Sequence, residues 1–293
     1  MNTTAGSAPT PELPDAVTLP AEIRSLSYAG ADALEVRTSA ATAVLLLDGA
    51  QLISWKPAGE DEALWLSPGA ECGPGLSARG GIPLVGPWFG PGIDGKAPFK
   101  HGWLRTSRWS LVDSLVREET AVLSLRVDDP SGSGISALVC FQIGTELEVD
   151  LTLTAGTEEL LAETALHTYL AVEDVREVRL HGLLGADYLD NTRGLAADRQ
   201  EEELLCPEGT VDRVYSVNGP VVLEDPGLRR RIISTPRGTS RTVVWNPWES
   251  MSDVPGQAWD GFVCIEPAVC KEGAVRLAPG ASHTIGVTYR IEH

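Results

Sequence analysis

Residues 147 to 154, Leu-Glu-Val-Asp-Leu-Thr-Leu-Thr, alternate without a break between apolar and polar side chains. Successive side chains of an extended strand point to opposite faces, so Leu147, Val149, Leu151 and Leu153 share one face while Glu148, Asp150, Thr152 and Thr154 share the other. The pattern predicts an antiparallel strand with one face buried and one in water. Similar runs cover 33–38, 42–47, 50–55, 109–116, 120–127, 135–143, 165–172, 241–245, 261–266 and 282–290. Turn dipeptides such as Asp48-Gly49, Ser133-Gly134 and Pro279-Gly280 separate them. With no convincing long amphipathic helix, this rhythm implies an all-β chain folded as a large antiparallel β-sandwich.

Nothing resembling a linker interrupts the pattern after residue 20, so residues 21–293 are expected to form one domain rather than two. The stretch before it has prolines at 9, 11 and 14 and no Lys or Arg. It lacks an apolar run fit for a signal segment and reads as a mobile tail over residues 1–20. No stretch approaches the length of a membrane span. The five cysteines form no CxxC pair, and an odd number suits a disulfide framework poorly. A cytoplasmic protein is expected. The acidic stretch 191–212, with Glu201-Glu202-Glu203, reads as a long surface loop, and Arg229-Arg230-Arg231 as the charged start of a solvated edge strand.

With 23 basic against 41 acidic residues the net charge is -18, so nucleic acid would meet a repulsive field. Against that background, residues 79–108 gather Arg79, Lys100, His101, Arg105 and Arg108 with Asp94 as the one carboxylate among them. This local inversion suggests a site for a small anion. An arginine fork matches phosphate or carboxylate oxygens, and Gly80-Gly81 after Arg79 would let the backbone approach a ligand closely. Arg105 and Arg108 fit a surface pair at a strand entry equally well. Trp88, Phe89, Trp103, Trp245 and Trp248 lie among glycines and prolines, where they could stack on a sugar ring or pack in the core.

Two further residues could carry chemistry. His167, in Ala165-Leu166-His167-Thr168-Tyr169-Leu170, shares a strand face with Ala165 and Tyr169; it is either a hydrogen-bonded structural histidine or a catalytic one. Glu266 ends the apolar run 261–265 and precedes Pro267, where burial would raise its pKa and make it a usable base; capping a turn or pairing with an arginine is the alternative. The five histidines show no HxH or HExxH spacing, so no metal is expected. No GxGxxG, GxxxxGK[ST] or GxSxG motif supports a nucleotide cofactor or a serine nucleophile.

Taken in order, these pieces resemble the aldose 1-epimerase (galactose mutarotase-like) superfamily, and within it the hexose-6-phosphate mutarotases. The resemblance runs from about residue 25 to the end and rests on Arg79 to Leu84, Pro87 to Gly90, His101-Gly102-x-x-Arg105, Ala165 to Tyr169, Gly182 to Asp190, Asp212 to Tyr215, Val243 to Trp248 and Ile265 to Ala268. It implies a supersandwich with a cleft on its concave face and a monomer acting on a phosphosugar without a cofactor. By motif match Glu266 would be the base that takes the anomeric hydroxyl proton and His167 the acid that protonates the ring oxygen. Asp212 would bind sugar hydroxyls, His101 would assist at the ring, and Arg79 with Arg105 would grip the 6-phosphate. Lys100 stands where relatives often carry glutamine and would add a point charge at the phosphate. Gly86 replaces an aromatic residue and would widen the cleft. A carbohydrate-binding sandwich without turnover would need neither His167 nor Glu266, and an epimerase of unphosphorylated sugars would not need the arginines for phosphate.

Overall fold

A computed structural model describes residues 17–293. The tail expected over residues 1–20 therefore falls, for residues 1–16, outside the described residues. Two eight-stranded sheets form the sandwich, joined by a four-stranded meander over Ile23–Tyr28, Ala31–Arg37, Ala41–Leu46 and Gln51–Pro57 and by a two-stranded ribbon. All the paired strands are antiparallel. No helix among the described residues is long and apolar enough to cross a membrane.

The back sheet contains the strand that carries the clearest alternation. In Leu147–Thr154 every odd position is buried and every even one is partly exposed. It pairs with Ser136–Ile143 on one side and Ser282–Glu292 on the other. Phe141, Val149, Leu151, Ile285, Val287 and Tyr289 from these strands are fully buried and face Leu166, Val244, Val263 and Ile265 of the second sheet. Such a core removes each large side chain from water at about 1.5–3 kcal/mol apiece, which is what holds the two layers together.

The second sheet has the spatial order Ala196–Arg199, Asp187–Asp190, Val211–Tyr215, Arg241–Asn246, Phe262–Val269, Thr164–Leu166, Leu84–Val85, with Tyr169–Ala171 also paired to Phe262–Val269. Phe262–Val269 is buried along its whole length. Val263, Ile265 and Val269 enter the inter-sheet core, while Phe262, Cys264 and Ala268 belong to small clusters on the opposite side. Alternation thus turns Glu266 away from the main core and onto the outer face, as it does Val243 and Trp245 on the neighbouring strand.

Several expectations need correction. The run 165–172 is two short strands, because His167 N–H donates to the Pro83 carbonyl (3.0 Å) and Thr168 N–H to the Leu166 carbonyl (2.8 Å). Arg230–Arg237 is an interior strand, flanked by Val221–Asp225 and Ser282–Glu292. Arg230 is buried and donates to the carbonyls of Asp61 (3.2 Å), Glu62 (2.9 Å) and Ala171 (2.9 Å), so it ties three chain segments together rather than guarding an edge. The stretch 191–212 is not one loop. It contains a 3-10 turn at Asn191–Arg193, the edge strand Ala196–Arg199 and the start of Val211–Tyr215, although most of its residues, the glutamate run included, are exposed as expected of a surface segment.

Candidate active site

The outer face of the second sheet carries a cleft of about 490 Å³ lined by Arg79, Phe89, Gly90, Pro91, Lys100, His101, Arg105, His167, Asn191, Asp212, Val243, Trp245, Met251, Glu266 and Lys271. All seven residues named from sequence are on its wall: Arg79, Lys100, His101, Arg105, His167, Asp212 and Glu266. They come from four regions of the chain. Asp212, Trp245 and Glu266 project from adjacent strands, with Asp212 directly opposite Trp245 and Glu266 opposite Val243 in the ladder.

His167 Nε2 lies 3.4 Å from Glu266 Oε1, and both side chains are withdrawn from water, at 12% and 1% exposure. The second carboxylate oxygen, Glu266 Oε2, and His167 Nδ1 are buried with no hydrogen-bond partner within the protein. Buried polar atoms are nearly always satisfied, so two orphans on one pair mark a place built for something else to bind. Burial, reinforced by the Asp212 charge, pushes the Glu266 carboxyl well above its ordinary value. Burial and the charges of Arg79 and Arg105 hold His167 well below its own. Both shifts favour the neutral forms of the pair, a protonated Glu266 beside an uncharged His167. The His167 ring stacks on Tyr169 at 4.9 Å and 16°, which fixes its plane.

His101 adopts a left-handed backbone (φ 70°), and its Nδ1 accepts the Gly90 N–H at 3.3 Å. That bond places the ring proton on Nε2. Burial, with the neighbouring Arg105, Lys100, Arg79 and Lys271 charges, drives the His101 pKa down to about 3, so it stays a neutral donor. The following Gly102 also has positive φ (67°), and a Cβ there would stand 1.8 Å from the Gly86 carbonyl oxygen; only glycine fits. Asp212 is pushed up by burial while accepting from Asn191 Nδ2 at 2.7 Å.

The cations divide into two kinds. Arg79 is engaged: Nε donates to Asp253 Oδ2 (2.8 Å), Nη1 to the Tyr169 hydroxyl (2.8 Å), and its guanidinium sits 5.9 Å from the Trp245 ring centre. Arg105 is not: Nη2 donates to the Lys100 carbonyl (3.0 Å), and Nε is buried without a partner. Arg108 leaves the cluster altogether, bound to Asp32 and Asp48. Gly80 and Gly81 serve the protein's own packing, since Cβ atoms there would lie 2.4 Å from the Trp65 carbonyl oxygen and 2.2 Å from that of Leu52. Gly86 does not widen the cleft; a Cβ there would meet Leu104 Cδ1 at 2.7 Å. Of the five aromatics singled out, Phe89 and Trp245 line the cleft. Trp103 packs in the core, Trp88 against Phe99 and Trp248 against Trp259.

Asn191, Met251 and Lys271 were not anticipated, because no local pattern distinguishes them from surface residues. Among the described residues, His167, Cys264 and Glu266 bring a nitrogen, a sulfur and a carboxylate oxygen within 4.8 Å of one another. Spacing along the sequence conceals such a trio, since its members lie on two segments. Burial pushes the Cys264 thiol well up, so it is protonated there.

Residues 32–290 match the model of the aldose 1-epimerase family, and the chain belongs to that family. Among its relatives, the "Putative glucose-6-phosphate 1-epimerase" of Escherichia coli K12 is 32% identical over 237 residues, spanning 77% of this chain and 79% of the relative. The protein of the same name from Salmonella typhimurium LT2 is 30% identical over 231 residues, spanning 75% and 77%. A crystal structure of a "putative mutarotase" from Salmonella typhimurium superposes with a TM-score of 0.86 at 26% identity and covers 95% of this chain and 96% of its own. The antiparallel sandwich is thus the galactose mutarotase-like fold.

Proposed function

We propose that this isomerase interconverts the α and β anomers of glucose 6-phosphate or a closely similar hexose 6-phosphate, with Glu266 and His167 as the proton-transfer pair. The observation that carries the reading is the buried His167–Glu266 pair, 3.4 Å apart, in a cleft whose other wall holds cations. Anomer exchange moves protons and one C–O bond, so it needs an acid and a base with separated pKa values and no cofactor.

In the working sense, Glu266 as carboxylate takes the proton of the anomeric hydroxyl while His167 as imidazolium gives one to the ring oxygen. The bond from C1 to the ring oxygen breaks, leaving an aldehyde at C1 and a hydroxyl at C5. Rotation about C1–C2 presents the other carbonyl face, and reclosure returns the C5 hydroxyl proton to His167 and the Glu266 proton to the new anomeric oxygen. His101, a neutral Nε2–H donor, steadies the ring end, Asp212 accepts from sugar hydroxyls, and Trp245 offers an apolar face for stacking. Arg105 and Lys100, with Arg79 beside them, face the 6-phosphate.

The residues assigned roles here all belong to one chain, and a monomer is the proposed working unit. Five free cysteines suit a reducing compartment, so the cytoplasm is the proposed location, and the net charge of -18 sets the surface against nucleic acid. The decisive experiment follows α-glucose 6-phosphate to anomeric equilibrium by NMR, with free glucose and galactose in parallel. Acceleration confined to the phosphosugar is expected. Acceleration of the free sugars alone would remove the phosphate assignment, and acceleration of none would remove the enzymatic reading.

A further inference from the structure

One cation in the cleft, Lys271, was not named from the sequence. Lys271 follows directly on Phe262–Val269 and Cys270 and has a left-handed backbone (φ 55°), a conformation lysine seldom adopts unless held there. What holds it is Glu163, whose carboxylate is 1% exposed. Glu163 Oε1 accepts the Lys271 N–H at 2.8 Å, and Glu163 Oε2 accepts the Phe89 N–H at 3.2 Å. A single buried carboxylate therefore fastens two segments of the cleft wall to each other. The Lys271 ammonium comes to rest 5.9 Å from the centre of the Phe89 ring.

Lys100, Arg105 and Lys271 line the same cleft, and none has a carboxylate within ion-pair distance among the described residues. Arg79, by contrast, already has Asp253. Three uncompensated cations around one space repel one another, an arrangement that favours an anionic occupant of more than one charge. Their combined field is felt by His101, which Arg105, Lys100 and Lys271 all push down.

We propose that Lys271 is a specificity-determining residue whose ammonium, positioned by Glu163, contacts the phosphate of the sugar phosphate together with Lys100 and Arg105. This rests on the phosphosugar reading above and adds a residue to it. A lysine ammonium suits the role as a mobile point charge that can follow the phosphate, whereas the arginine fork fixes its orientation. The site takes a dianionic phosphoryl group and discriminates against the neutral sugar.

The test is calorimetric titration of inorganic phosphate into the wild-type protein, Lys271→Met, Lys271→Arg and Lys56→Met, the last removing an exposed lysine elsewhere as a control for net charge. Losing one charge-assisted hydrogen bond should weaken phosphate binding about 10- to 100-fold in K271M, with K271R within about threefold of wild type and K56M unchanged. In anomerisation assays K271M should raise the KM for glucose 6-phosphate by the same factor and leave kcat intact. Phosphate binding by K271M equal to that by K56M would overturn the inference. So would a fall in kcat at constant KM, or a wild-type protein that binds no phosphate. A wild type that binds phosphate through Lys271 yet accelerates no anomerisation would sink the proposed function and leave this contact standing.

Discussion

Replacing Glu266 by glutamine should change how the stability of the fold depends on pH, by an amount the buried pair dictates. Glu266 is raised well above its ordinary 4.5 and His167 lowered well below its ordinary 6.5, both chiefly by burial. In the folded protein the two shifts act together to favour one acidic proton on the pair, held by Glu266, over a wider span of pH than in the unfolded chain. In the unfolded chain the same two groups hold two such protons below 4.5, one between 4.5 and 6.5, and none above 6.5. Folding thus releases a proton at low pH, is neutral in the middle, and binds one above 6.5. For wild type the contribution of the pair rises with pH up to 4.5, is level to 6.5, and then falls by about 1.4 kcal/mol per pH unit until the folded carboxyl ionises. Glu266→Gln retains only the depressed histidine, whose contribution is lost below 6.5 and level above it. His101, Asp212, Arg79, Arg105, Lys100 and Lys271 also face the pair, but they are common to both proteins and largely cancel in the difference. Urea unfolding of both proteins at pH 6.5 and 8 measures it. Wild type should lose more stability than Glu266→Gln over that interval, at up to about 1.4 kcal/mol for each pH unit in which the folded carboxyl stays protonated, and equal losses would mean that Glu266 is ionised in the folded state.

Two further outcomes test the chemistry. His167→Asn and Glu266→Gln should each fold and lose at least about 100-fold in kcat for glucose 6-phosphate, the scale of a lost acid or base, and wild-type turnover in either would remove that residue from the mechanism. Arg105→Ala should raise the KM for the phosphosugar about 10-fold or more, through loss of a charge-assisted contact, with little change in affinity for free glucose; equal effects on both sugars in parallel NMR assays would show that Arg105 does not serve the phosphate.

What was legible in the sequence follows from how local each determinant is. Leu147–Thr154 could be read because one face is core and the other water, so burial is written into every second residue. Ala196–Arg199, one partly buried and three exposed residues at a sheet edge, carries no such record. Arg230–Arg237 begins with two arginines and so imitated an edge; the carbonyls that accept from Arg230 lie up to 169 residues away. The break at His167 depends on the Pro83 carbonyl and is equally invisible locally. For the cleft, eight motifs in order supplied six of the seven named wall residues and Lys100 stands just before one of them, whereas Lys271 and Asn191 follow only from tertiary placement. Arg79 was named, but its pairing with Asp253, 174 residues away, was not.

The preference of the pair for its neutral forms bears on how acid and base can be told apart. Protonated Glu266 beside neutral His167 and ionised Glu266 beside imidazolium contain the same number of protons, so they differ only by a transfer across 3.4 Å. Burial favours the first form. In the proposed complex a bound sugar would change the balance, because its anomeric hydroxyl and ring oxygen would supply partners to the orphaned Glu266 Oε2 and to the imidazole, while its phosphate would offset the cations that depress His167. The pH dependence of kcat/KM reports only the total proton count of the pair, so it should show one broad plateau bounded by two macroscopic pKa values that belong to neither residue alone. Roles must therefore come from substitution. A methyl glycoside of the phosphosugar has no anomeric hydroxyl proton for Glu266 to take and cannot open to the aldehyde, so the wild-type protein should bind it and leave its anomeric configuration unchanged by NMR, and anomer exchange of the glycoside would remove the proposed proton transfer at Glu266.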